Sequence, residues 1–209
     1  MSTVTAIRPK GRRTDRFVVE VDGAALATID LDLWARHGLG VGAALDEGGR
    51  ERLVDGAGRL CAYDRAVRML ACRGRAKEEL RRRLVEKGAL PAHAADAVER
   101  LVRAGLLDDA AFAHHYARSR ALVGHGKRRL LAELARKGIA RDLASQAVGR
   151  VLADPTVDAA GALETLAERR LKSLARLDEP TRQRRLFAFL VRRGHGAADI
   201  ARVLKGMAR

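Results

Sequence analysis

Apolar and polar residues follow two different rhythms along this chain. Residues 17–29 read Phe-Val-Val-Glu-Val-Asp-Gly-Ala-Ala-Leu-Ala-Thr-Ile. The β-branched stretch over 17–21, the Asp22-Gly23 dipeptide and the second short apolar stretch predict a β-hairpin. A short helix is expected over Leu31–His37, stopped by Gly38, and Gly40, Gly42, Gly48 and Gly49 then interrupt the run to Leu53. Trp34, the only tryptophan, is expected to anchor the core of this small unit, and Asp55-Gly56-Ala57-Gly58 reads as the linker out of it.

From Leu60 onward, periods of three and four replace alternation, which predicts amphipathic helices. Pro91, Pro155 and Pro180 fall between the periodic segments, where they start or separate helices. A repeat emerges at intervals of fifty-odd residues. Leu80, Leu84 and Gly88 form Leu-x3-Leu-x3-Gly, as do Leu130, Leu134 and Gly138, and Leu186, Leu190 and Gly194; no other place in the chain matches. Two leucines four apart stack on one helix face, and the glycine supplies the left-handed cap that ends the helix. The cations before the glycines, Lys87, Lys137 and Arg193, suit the negative end of the helix dipole. Apolar pairs follow each turn at Val98/Leu101, Val148/Val151 and Leu204/Met207, and amphipathic segments precede each unit at 66–70, 112–121 and 163–174. The expected fold is mainly α: three tandem three-helix repeats in an elongated array, preceded by a small N-terminal β-hairpin and helix unit. The expected boundaries are 1–58 for that unit with its linker, then 59–109, 110–154 and 155–209 for the three repeats.

Charge sharpens this picture. The 209 residues carry a formal net charge of +15, none of it in 1–60, +9 in 61–154 and +6 in 155–209. Excess cations confined to the helical part are the electrostatic footprint of a polyanion partner. Aromatic residues are only 3% of the chain, which argues against a platform for stacking unpaired bases. No apolar run is long enough to span a bilayer and residues 1–10 show no signal-peptide core, so a cytoplasmic location is expected. Cys61 and Cys72 fall on one predicted helix about three turns apart, too far to bond to each other, and are expected to be buried or half-buried thiols.

Catalytic chemistry finds little support. His114 and His115 are adjacent, so they diverge by about 100° on a helix and cannot easily share a metal. No metal site, cofactor or catalytic residue is expected. Asp108 and Asp109 are read as a helix cap for the segment starting near Ala110, in preference to a Mg²⁺ site. Gly124-His125-Gly126-Lys127 lacks Walker spacing and follows a helix, where a phosphate loop would follow a strand. The basic face remains. Arg73, Arg75 and Lys77 open the second helix of the first repeat, with Arg81 and Arg82 along it. Lys127, Arg128 and Arg129 take the matching place in the second repeat, and Arg184 and Arg185 in the third. Cations repeated at one structural position are expected to form a line that tracks a phosphate backbone or an acidic groove.

Several short motifs run from Arg73-x-Arg75-x-x-x-Glu79-Leu80-x-x-x-Leu84-x-x-Lys87-Gly88 through Gly105-Leu106-Leu107-Asp108-Asp109-x-x-Phe112-Ala113. Gly124-His125-Gly126-Lys127-x-Arg129-Leu130, Glu133-Leu134-x-x-Lys137-Gly138-Ile139 and Leu190-x-x-Arg193-Gly194 follow. Their order and spacing resemble the RecX family of RecA regulators. The chain departs from the pattern at Ala76, where a serine that could cap the helix is common, and at His125 and His195, where aromatic rings are usual. The resemblance implies a non-enzymatic protein that binds the groove of the RecA–single-stranded DNA filament. There it would block extension or promote disassembly, damping ATP hydrolysis, strand exchange and SOS co-protease activity. It also implies a monomer that touches RecA and single-stranded or duplex DNA, with no membrane partner. The alternatives are a helical DNA-binding protein that acts independently of RecA, and a metal-dependent nuclease built on Asp108 and Asp109.

Overall fold

The computed structural model describes residues 1–11 and 15–207. The chain divides into two compact units, and the first turn of one helix belongs with the second of them.

The N-terminal unit begins with β1 (Ser2–Pro9), β2 (Arg16–Val21) and β3 (Ala24–Asp30). The hairpin forms where Asp22 and Gly23 allow it: both have positive φ, +50° and +82°, as the two central residues of a mirror-image turn require. β1, in which Thr3, Val4, Thr5 and Ile7 are β-branched, pairs antiparallel with β2 and also with β4 (Ala44–Leu45), giving the sheet order β3-β2-β1-β4. Helix α1 (Leu31–His37) starts on an Asp30 cap and stops at left-handed Gly38, as its sequence predicts. Trp34 packs edge-on to Phe17, with ring centroids 4.8 Å apart, and its Nε1 donates to the Leu39 carbonyl at 2.7 Å. These groups close a core of Val4, Val19, Val21, Ile29, Leu39 and Leu53.

The expected linker at 55–58 is instead the middle of α2 (Glu47–Cys72), a 26-residue helix. Its glycines serve close packing. A Cβ on Gly58 would lie 2.4 Å from the His93 ring, and one on Gly56 would lie 2.7 Å from Leu33. His93 sits against the helix and its Nε2 meets Asp55 at 2.7 Å, a bond that holds the Asp55 carboxyl below its ordinary range, helped by Arg59. Arg16 joins strand to helix with a two-pronged bond to Asp64, at 2.9 and 2.6 Å. Cys61 and Cys72 lie on α2 as expected, but both are exposed. Packed on α2 are α3 (Lys77–Glu86) and α4 (Pro91–Arg103), whose core is Leu80, Leu84, Ala94, Ala97 and Leu101 against Ala62 and Ala66.

The C-terminal unit holds α5 (Asp109–Ala121), α6 (Lys127–Arg136), α7 (Arg141–Ala153), α8 (Ala159–Ser173), α9 (Glu179–Arg192) and α10 (Ala197–Met207), together with residues 76–79. The six repeat leucines, Leu80, Leu84, Leu130, Leu134, Leu186 and Leu190, are fully buried. Gly88, Gly138 and Gly194 take φ of +89°, +85° and +87°, each ending its helix. Val98, Leu101, Val148 and Val151 are buried against these leucines. The third repeat keeps this register: Ile200 and Val203 are buried where Ala94/Ala97 and Ala144/Ala147 are in the other two, while Leu204 and Met207 pack on the core only partly buried.

Candidate nucleic-acid interface

The second helix of each repeat carries the candidate cations, and its buried leucine face dictates where they point. With Leu130 and Leu134 inward, Lys127 and Arg128 in the first turn of α6 are turned to solvent, and both are exposed. On α9, with Leu186 and Leu190 inward, Arg184 and Arg185 are likewise exposed, while Arg182 pairs with Glu179 one turn back. Around the start of α3, Arg73 and Arg82 are exposed, and Arg75, Lys77 and Arg81 are half-buried.

Arg129 is placed differently from its neighbours. Its Nε donates to Glu133 Oε1 at 2.8 Å, and that carboxylate is buried. Glu133 also accepts from the Tyr116 hydroxyl at 3.0 Å and meets His125 Nδ1 at 3.3 Å. Burial by itself pushes the Glu133 carboxyl up, but the bonds from Arg129 and Tyr116 and the nearby His125 outweigh it and hold it below its ordinary value. Burial holds the His125 imidazole below 6.5, against the pull of Glu133. The two family positions where histidine replaces an aromatic ring are thus filled by rings with polar partners: His195, also buried, has Nε2 3.0 Å from the Gly124 carbonyl.

Helix ends meet inside this unit. The N–H of Gly126 donates to the Arg193 carbonyl at 2.9 Å, and that of Arg128 to the Gly194 carbonyl at 3.1 Å. The start of α6 is therefore satisfied by the orphan carbonyls at the end of α9, a head-to-tail junction of two helix dipoles. The N–H groups that a phosphate loop would offer are spent on protein. The same junction sets the backbone of Arg193 and Gly194 against that of Gly126 and Arg128. The sequence offered Arg193 only as a cation before a helix-ending glycine. Arg184 and Arg185 lie nine and eight residues before Arg193, about 12–14 Å along the axis of α9.

A matching junction joins the end of α6 to the first turn of α3. A Cβ on Gly138 would lie 2.4 Å from the Glu78 side chain, and Lys137 Nζ reaches Glu79 at 3.1 Å while lying over the Tyr116 ring at 5.0 Å. Ala76 is buried in the core of this unit. The tandem aspartates divide their work here. Asp108 Oδ1 accepts from Ala110 and Ala111, capping α5, whereas Asp109 Oδ1 accepts from the Lys77 N–H at 2.9 Å and caps α3 across the fold. A residue 32 positions away thus replaces the local cap that Ala76 lacks. Asp109→Ala is expected to cost about 1 kcal/mol, within the usual range for a lost cap. Urea unfolding checks this, and an effect below that of a surface Asp142→Ala control would refute the cap.

Comparison with known proteins finds one family along the helical part of the chain. Three family models match in succession: the RecX first three-helix domain over residues 62–101, the second over 108–148 and the third over 159–204. The chain is 40% identical over 128 residues to the regulatory protein RecX of Amycolatopsis mediterranei, covering 61% of this chain and 71% of that one. It is 33% identical over 141 residues to that of Pelodictyon phaeoclathratiforme, covering 67% and 84%. A crystal structure of a regulatory protein RecX superposes with a TM-score of 0.76 at 19% identity, covering 98% of this chain and 100% of that one. RecX from Lactobacillus salivarius superposes at 0.60 and 18% identity, covering 72% and 97%. At these identities the structural likeness speaks to the fold.

Proposed function

This chain belongs to the RecX family of regulatory proteins, and from that premise we propose that it restrains RecA by binding along the groove of the RecA–single-stranded DNA filament. There it blocks extension or promotes disassembly, and so damps ATP hydrolysis, strand exchange and SOS co-protease activity. It acts in the cytoplasm as a monomer. The observation that carries this reading is the succession of three family repeats whose second helices each expose cations, at Arg82, at Lys127 and Arg128, and at Arg184 and Arg185. Cations on a rigid helix can follow a phosphate backbone or an acidic protein surface without ordering new chain. Lys127 and Arg128, at the start of α6 where it meets the end of α9, are the strongest contacts in this reading. Arg129 serves the fold through Glu133, and Arg73, Arg75, Lys77, Arg81 and Arg82 extend the contact from the first repeat.

The test is RecA's DNA-dependent ATPase on preformed filaments, with this protein titrated at sub-stoichiometric amounts. A progressive fall well below one copy per RecA is the expected result. Lys127→Ala with Arg128→Ala is expected to weaken filament binding about tenfold and to flatten its salt dependence by about 1–2 in log–log slope. Unchanged ATPase at stoichiometric protein, with bare DNA bound at least as tightly as filament, would sink the reading. That outcome would favour a helical DNA-binding protein that works without RecA.

A further inference from the structure

A cavity of about 620 Å³ in the N-terminal unit lies between β3 and α2. That falls inside the range of roughly 300–1,000 Å³ typical of built ligand sites. One wall consists of Leu26, Ala27 and Thr28, three successive residues of β3. Successive side chains on a strand point to opposite faces, so three in a row at one cavity mean that the edge of the strand, and not a face, borders it. β3 is an edge strand: it ends the sheet order β3-β2-β1-β4, and its ladder runs to β2. The opposite wall is a stripe of α2 bearing Val54, Ala57 and Cys61, spaced three and four apart and small enough to leave a trough beside the strand. Val54 is 47% exposed, a large apolar group left in water at the mouth.

Charge selects the partner. Two carboxylates border the cavity, Asp15 and Asp64, and Arg16 pairs with both, at 2.7 and 2.6 Å. With Lys10 and Arg68 the lining holds three cations against these two carboxylates, a small positive excess. Lys10 also donates to the Thr28 hydroxyl on β3. We infer that the trough between β3 and α2 is a docking groove for an extended acidic segment of another protein, which adds to the sheet as a fifth strand. Main-chain bonds along β3 supply affinity, apolar side chains of the segment rest on Val54 and Ala57, and its carboxylates meet Arg68 and Lys10. The segment also covers a strand edge that would otherwise be a liability. The inference is independent of the filament reading, since none of these residues belongs to the cationic helices of the three repeats.

The probe is a fluorescein-labelled octapeptide of alternating valine and glutamate, titrated into the full-length chain and followed by anisotropy and by backbone hydrogen exchange. Saturable binding is expected, with new amide protection in residues 24–30. Arg68→Glu should weaken it about tenfold, as loss and reversal of a rim charge would, and Cys61→Trp, at an exposed position, should fill the trough and abolish it. Several outcomes overturn the proposal. Binding without new protection of β3 would mean simple attraction to the basic helices. A valine–lysine octapeptide binding as well would remove the charge argument, as would indifference to Arg68→Glu. Protection of 24–30 that rises with protein concentration alone would assign the groove to a second copy of this chain.

Discussion

Gly194→Ala is expected to destabilise the C-terminal unit by about 2–5 kcal/mol. Two penalties add. Residue 194 has φ of +87°, where a Cβ costs about 1–2 kcal/mol. The methyl would also lie 2.3 Å from the Arg129 backbone nitrogen and 3.0 Å from its Cα. Backbone cannot step aside as a flexible side chain can, and overpacking of this kind costs about 1–3 kcal/mol. The natural control is Gly88, the same turn of the first repeat: its φ is +89° but nothing lies within 4 Å of its would-be Cβ. Gly88→Ala should therefore cost only the conformational part, about 1–2 kcal/mol. Urea unfolding followed by far-UV circular dichroism measures both. Equal losses in the two variants would mean that the junction of α9 with α6 is not the close contact described. The comparison separates the two roles of one repeated residue: ending a helix, which all three glycines do, and admitting the next helix, which Gly138 and Gly194 do.

Glu133→Ala should cost about 2–3 kcal/mol at neutral pH. The carboxylate is buried and holds Tyr116, His125 and Arg129 together, so its removal leaves the tyrosine hydroxyl and the imidazole without their partner in a dry site. The Arg129 side chain, 38% exposed, can turn to water, which keeps the loss below that of a fully buried pair. Glu133→Gln keeps an acceptor and should cost about half as much. The pH dependence follows from the two shifted groups. Glu133 is held below its ordinary 4.5, so its contribution is fully present above that pH and fades as acid protonates it in the folded state. His125 is held below 6.5, so the folded chain takes up this proton at lower pH than the unfolded one does. As pH falls through 6.5 the unfolded chain therefore binds more protons, and stability drops. Wild type should thus lose stability in two stages on acidification. The gap between wild type and Glu133→Ala should close below about pH 4.5. A gap that stays constant from neutral pH to pH 3 would show that the ionised carboxylate is not what holds the cluster.

How much of this was legible in the sequence depends on the range over which each feature is decided. The three Leu-x3-Leu-x3-Gly units, the Asp22-Gly23 hairpin, the Gly38 stop and the Asp108 cap were written locally, because helix periodicity, positive φ and end-capping are settled within a few residues. The charge asymmetry and the cations beside each leucine pair were equally plain. Other features were not. Gly56 and Gly58 looked like a linker, because sequence cannot distinguish a glycine that frees the chain from one that lets His93 and Leu33 approach a helix. The β-branched Thr3, Val4, Thr5 and Ile7 favour a strand locally, but its place between β2 and Ala44–Leu45 is a tertiary pairing. In the third repeat Leu204 and Met207 are only partly buried, since how fully an apolar face is covered depends on what packs on it.

The candidate interface divides along the same line. Which residues are cations was given by the chain, but which of them face water was given by tertiary contacts. Arg129 follows Lys127 and Arg128 directly, yet it turns inward to a carboxylate that two other elements of the fold also reach. Asp109 stands beside Asp108, yet it caps a helix that begins 32 residues earlier. By itself the sequence determined the helices, their ends, the repeat and the sign of the charge, because backbone geometry and side-chain chemistry are local. Only the tertiary structure decided which helix end meets which, and so which polar groups are spent on the fold and which are left for a partner. Those pairings join residues far apart in the chain, and their energy exists only once the repeats have packed.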